Sequence, residues 1–206
     1  MNTYGILRMG GSWDEIPAAP VDTVLWLPDA GIRASAKLAW DDNDLYVNLK
    51  AREKEIRAEQ PADLLTGMPC EDSCLEFFFR PLETDPRYIN IEFNPNGCMY
   101  LGIGHSGKEL IRLLPAAAEQ GFDPAPYFTA DGWGITYRVP FSFVRFFFPS
   151  FAPAPGTVLY GNFFKCGDLT PAEHYLSWNP VTSSTPNFHR PQDFGKLIFE
   201  SGPDQE

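Results

Sequence analysis

The chain has 206 residues, a formal net charge of −11 and a sequence pI near 4.7. That acidic balance, without a cluster of Lys or Arg, argues against nucleic acid or an anionic membrane surface as partner, because both demand concentrated positive charge. The densest apolar run, residues 141–151, is cut by Pro149 and contains Arg145, so it falls short of a membrane-spanning helix.

The length suits one well-buried domain, taken as residues 1–200, with a loose tail at 201–206. The opening stretch, MNTYGILRMGGSWDEIP, lacks the apolar core of a secretory signal. The expectation is a chain that is cytoplasmic, or exported after a signal has been removed. Cys70, Cys74, Cys98 and Cys166 are too sparse for a disulfide scaffold and read as reduced, mostly buried thiols. A zinc site made from all four cysteines needs paired short spacings, and only Cys70 and Cys74 have one.

Twenty prolines and seventeen glycines are spread along the sequence, which favours many short strands over long helices. The fold class is therefore all-β. In chain order, strands are expected at 24–27, 34–40 and 45–50, the last two joined as a hairpin by Asp41-Asp42-Asn43-Asp44. Residues 51–65, rich in Glu, Lys, Arg and Ala, read as a loop carrying a helical turn. Further strands are expected at 98–104 and 110–114, and a hairpin at 127–130 and 133–139 turns at Asp131-Gly132. Pro140 is placed to start one or two helical turns, after which 157–166 and 195–200 complete the strands.

Residues 71–97 organise the rest. Two alternating runs put Leu75, Phe77, Phe79, Ile89, Ile91 and Phe93 on one face, which reads as core. The opposite face carries Glu76, Arg80, Asn90, Glu92 and Asn94 and could hold a polar ligand.

Several motifs fail on their chemistry. The run from Gly102 to Lys108 imitates both a dinucleotide fingerprint and a phosphate loop. Glu109 stands where the phosphate loop needs Ser or Thr, and no βαβ unit surrounds the glycines, so a glycine-rich hairpin end is the better account. Asp42, Asp44 and Glu53 have part of a helix-loop-helix calcium spacing, but Tyr46 and Val47 occupy positions that need a ligand and a glycine. Asp41, Asp42 and Asp44 remain candidate ligands of an irregular calcium site, against the plainer reading of an acidic hairpin turn. Glu76 and Glu92 could form the carboxylate pair of a glycoside hydrolase or act as separate polar groups near Arg80 and Lys165. Trp178, in Ser177-Trp178-Asn179-Pro180, either offers an indole face to a sugar ring or plugs the end of the sandwich.

Taken together, DNDLYVNLKA, EDSCLEFFF, YINIEFNPNG, DGWGITYRVPF, GNFFK, YLSWNP and PQDFGKLIF, in that order, resemble the family 9 carbohydrate-binding modules and their DOMON-like relatives. The resemblance covers residues 40–199. It implies an antiparallel β-sandwich of jelly-roll type that binds saccharides, often acts beside glycoside hydrolases, and sometimes carries structural calcium. It also implies that Glu76 contributes to the sugar site and that Trp178 forms one wall. The aromatic partner of Trp178 would fall at 65–70, where no aromatic stands. Binding is then expected to lean on Glu76, Arg80, Glu92, Asn94 and Lys165. Two rivals remain at this point: a glycoside hydrolase using Glu76 and Glu92, and a haem-binding DOMON-like domain using Met99, Met68 or a histidine.

Overall fold

The computed structural model describes residues 1–114 and 119–201, and in them the turn-punctuated sequence becomes a set of short strands. These are β1 (Thr3–Arg8), β2 (Ala19–Val21), β3 (Thr23–Val24), β4 (Arg33–Trp40), β5 (Asp44–Arg52), β6 (Cys74–Arg80) and β7 (Tyr88–Phe93). They continue as β8 (Met99–Gly104), β9 (Ile111–Arg112), β10 (Ala125–Thr129), β11 (Gly132–Pro140), β12 (Val158–Gly167), β13 (His174–Ser177) and β14 (Gly195–Phe199). Among the described residues, helix is limited to α1 (Glu119–Phe122), α2 (Phe141–Phe147) and short 3-10 turns. Apart from Ser201, the expected loose tail lies outside the described residues.

Two layers face each other. The first runs β9-β8-β7-β6-β12-β14-β1, with β13 beside the later part of β12 and β3 beside β13. The second runs β10-β11-β5-β4-β1, with β2 on β4. Strand β1 belongs to both: Thr3 to Ile6 pair with β14, and Leu7 and Arg8 pair with β4. Both pairings are parallel, so the sandwich is mixed at this seam rather than antiparallel throughout. The reason is positional, since β1 has no hairpin partner of its own and is placed between strands distant in sequence.

The core forms where the inner faces meet. Phe77 stacks on Phe79 at 4.9 Å and on Phe163 at 5.0 Å, and all three are buried with Ile89, Ile91 and Phe93. Trp40, Leu38, Val47, Leu49 and Ile135 of the second layer belong to the same cluster. Each large apolar side chain taken from water here contributes about 1.5–3 kcal/mol.

Local chemistry explains the turns. Asp41 Oδ1 accepts the amides of Asn43 and Asp44, both at 2.8 Å, closing the β4–β5 hairpin. Gly132, in the β10–β11 hairpin, is required by close packing, since a Cβ there would collide with the Ala51 carbonyl oxygen. Two expectations are corrected. The strand expected at 24–27 stops at Val24 because Trp26 has a φ of +57°. The segment after β5 carries turns but no helix, because Asp72 Oδ2 accepts the Glu59 and Gln60 amides and fixes an open loop.

A cavity over an acidic floor

On the outer face of the first layer, alternation brings Cys74, Glu76 and Phe78 of β6 beside Phe164 and Cys166 of β12 and Tyr88 and Glu92 of β7. Glu76 and Glu92 are direct cross-strand partners. Both are buried, at 2% and 6% exposure, although they lie on the face turned away from the main core. The cover comes from later chain. Phe188 stacks on Phe164 at 4.1 Å, and Trp26 packs against Phe188 and Tyr175. Beneath this cover is a cavity of about 340 Å³ whose lining includes Glu76, Glu92, Asp168, Tyr100, Asn187 and His189.

The floor is acidic, and the nearby Arg112 charge offsets it in part, acting on Glu92 from outside the cavity lining. No Lys or Arg is among the described residues that line it. Burial pushes the Glu76 carboxyl well above the usual carboxylate range, and the nearby Glu92 charge pushes it further. Burial likewise raises Glu92 to about 7, while the Asn90 amide, donating to Glu92 Oε1 at 3.0 Å, opposes the rise. Glu92 Oε2 has no hydrogen-bond partner in the structure. The Glu76 carboxyl thus holds its proton to higher pH than an exposed glutamate, and in that form it can both donate and accept, as a sugar hydroxyl does.

The loop that supplies Asn187 and His189 is held rigidly. Asp193 accepts from the Thr182 amide at 2.9 Å and is paired with Arg190 at 2.8 Å. Tyr88 Oη meets His189 Nδ1 at 2.8 Å, which fixes the imidazole at the cavity edge.

Other residues expected at the site are placed elsewhere. Lys165 lies on the inner side of β12, fully buried, where its Nζ pairs with Glu53 Oε2 at 3.2 Å and donates to His174 Nε2 at 2.7 Å. It is on the wrong face because it alternates with Phe164 and Cys166. Trp178 is 5% exposed, packed on Phe163 at 5.5 Å and against Gly195, where a Cβ would clash with the indole. It closes the core and forms no wall of this cavity. Asn94 is on the expected side but its amide is fully engaged: Nδ2 donates to Gln60 O and Asp72, and Oδ1 accepts from Asn96 and Cys98. Arg80 lies at the far end of β6 over the Tyr160 ring, 4.8 Å from its centroid. Of the expected set, Glu76 and Glu92 come together in the cavity.

The candidate calcium ligands do not fit an ion. Asp41 is occupied by turn amides and the Tyr46 hydroxyl, Asp42 pairs with Arg8 at 2.7 Å, and Asp44 pairs with Arg138 at 3.2 Å. Their carboxylates are directed at three different partners.

Sequence reasoning missed Asp168, Asn187, Phe188 and His189. For Phe188 a signal existed: an aromatic among the turn-forming residues of STPNFHRPQ is the same pattern that drew attention to Trp178.

A family model described as carbohydrate-binding family 9 matches residues 12–199. This chain belongs to carbohydrate-binding family 9. The module is similar to a structure from Bacteroides uniformis, provisionally described as a carbohydrate-binding protein, with 25% identity, a TM-score of 0.78, and coverage of 97% of this chain and 98% of that one. Its fold also matches a family 9 module from Caldicellulosiruptor kristjanssonii in complex with glucose, at 14% identity and a TM-score of 0.68, covering 100% and 99% of the two chains. A second match is to a family 9 module from the same organism in complex with cellotriose, at 16% identity and a TM-score of 0.66, covering 98% and 96%. Compared with curated proteins, the module has no significant match.

Proposed function

We propose that this module binds a saccharide, without transforming it, in the cavity floored by Glu76 and Glu92. The observation that carries the reading is the pairing of two buried carboxyls, one with a free oxygen, beneath a cavity with aromatic cover. A ligand that suits it presents hydroxyls to the floor and an apolar ring face to the aromatic wall, as a pyranose does. Phe188, Tyr175 and Trp26 take the stacking role that Trp178 cannot fill from the core. The family 9 modules with bound glucose and cellotriose support the same ligand class. Action beside glycoside hydrolases is consistent with a binding module and belongs to the same proposal.

Geometry weighs against hydrolysis. Glu76 and Glu92 project from neighbouring strands of one floor, so both meet a ligand from the same side. Glycoside cleavage needs the acid and its partner to flank the scissile bond. Nothing favours the haem-binding DOMON-like alternative: the matching family model and structures are carbohydrate-binding.

Calorimetric titration with a panel of mono- and oligosaccharides tests the proposal. Saturable binding that Glu76→Ala weakens supports it. Absence of binding up to millimolar concentrations for every sugar overturns it.

A further inference from the structure

Cys74, Glu76 and Cys166 cluster at the cavity floor and Cys70 stands in the cavity lining, whereas Cys98 stands apart with its sulfur against the Leu64 carbonyl. Sequence spacing could not show this, because Cys166 reaches the group through strand pairing: it is the direct register partner of Cys74 across β6 and β12. One position along on the same face, Glu76 turns its carboxylate to Cys166, with Oε1 3.0 Å from Sγ. The ligand atoms of Cys74, Glu76 and Cys166 all lie within 4.8 Å of one another. Zinc bonds to sulfur at about 2.3 Å and to carboxylate oxygen at about 2.0–2.2 Å, so tetrahedral neighbours around one ion sit about 3.5–4 Å apart. The three side chains are already close enough for one ion to hold all of them after small shifts.

We propose that Cys74, Cys166 and Glu76, completed by Cys70, form a binding site for a soft divalent cation of the zinc class beneath the cavity floor. Cys70 precedes Cys74 with three residues between them, a spacing within the range of zinc-binding cysteine pairs. It sits in the 3-10 turn Pro69–Glu71 that leads into β6 and lines the cavity together with Glu76 and Cys166. All the thiols are free. Thiolate donors select zinc-type ions over calcium or magnesium, which prefer all-oxygen sites. A dication bound here displaces the thiol and carboxyl protons to solvent and brings positive charge to a floor lined by Glu76, Glu92 and Asp168. Glu92, whose Oε2 is buried and unpartnered, faces the same cavity and can accept a hydrogen bond from a water or hydroxyl on the ion.

The test uses the full chain, reduced and stripped of metal with a chelator, then titrated with Co²⁺. One equivalent is expected to produce thiolate-to-cobalt charge-transfer absorption with intense tetrahedral d–d bands, both abolished by Zn²⁺. Cys98→Ser should retain the bands, and Cys166→Ser should lose them or weaken cobalt binding at least 10-fold. X-ray absorption of the zinc-loaded native chain requires no substitution and should show two or three sulfur neighbours at about 2.3 Å. Absence of charge-transfer absorption in the native chain, a zinc shell of oxygen and nitrogen only, or bands unchanged in Cys166→Ser overturns the site. Saccharide titrations of metal-free and zinc-loaded protein keep the two proposals separate, since sugar binding without metal leaves the first standing and metal binding without sugar leaves this one.

Discussion

Glu76 and Glu92 face each other directly across two antiparallel strands, both buried, and no Lys or Arg is among the described residues that line the cavity above them. Like charges so placed repel, and a buried carboxylate is costly. Burial raises the proton affinity of both carboxyls, and this has a measurable consequence.

Stability should fall as pH rises through the Glu92 titration. The folded form holds this proton up to about 7, whereas the unfolded chain releases it near the ordinary glutamate value. Between those limits the folded state binds more protons, so the contribution of Glu92 is full below the window, declines across it and levels off above about pH 7. The loss amounts to about 3–4 kcal/mol at most. In chelator-treated protein, Glu92→Gln should remove this slope, so that urea midpoints of native and variant diverge between pH 4.5 and 7. Parallel profiles would sink the assignment.

Trp178 is a core residue, and its substitution should separate stability from binding. Trp178→Ala should cost about 3–5 kcal/mol in denaturant unfolding. Trp178→Phe, a milder truncation, should leave saccharide affinity of the folded protein within about 2-fold. A loss of affinity larger than 10-fold in Trp178→Phe would place the indole back in the binding site.

Lys165 and Glu53 form a buried pair, with the Trp133 indole also donating to Glu53 at 3.1 Å. Removing one partner strands the other, so Lys165→Met should cost about 3–5 kcal/mol. Adding Glu53→Gln to that variant should recover part of the loss. A double variant no more stable than the single one contradicts the pairing.

Phe188 offers the aromatic contact nearest the acidic floor. Phe188→Ala should weaken saccharide binding about 3- to 10-fold, in line with the 0.5–1.5 kcal/mol of an aromatic contact. Glu76→Ala, which deletes hydrogen bonds to sugar hydroxyls, should weaken it about 10-fold or more. Calorimetry on both variants checks the pair, and an unchanged affinity in both would move the site elsewhere.

Alternation and turn chemistry made much of the fold legible. The β4–β5 and β10–β11 hairpins, the pairing of β6 with β7 and the short helix after Pro140 all follow from local pattern. Strand β1 was not legible, because its partners, Ala39 and Trp40 on one side and Lys196 to Phe199 on the other, lie far along the chain. Strand β13 is short and shows its pattern only once β12 is beside it.

By itself, then, the sequence determined which residues of β6 and β7 share a face, because side chains in a strand alternate whatever surrounds them. It thereby put Glu76 and Glu92 together and set Phe77 and Phe79 apart from them. Only the tertiary structure decided that Lys165 and Trp178 point into the core, that Phe188 and His189 fold back over the acidic floor, and that Cys166 meets Cys74. Those relationships depend on register and on loop return between distant segments, 92 residues apart for Cys74 and Cys166 and 101 for Tyr88 and His189. Local periodicity carries no information about pairings over such a distance.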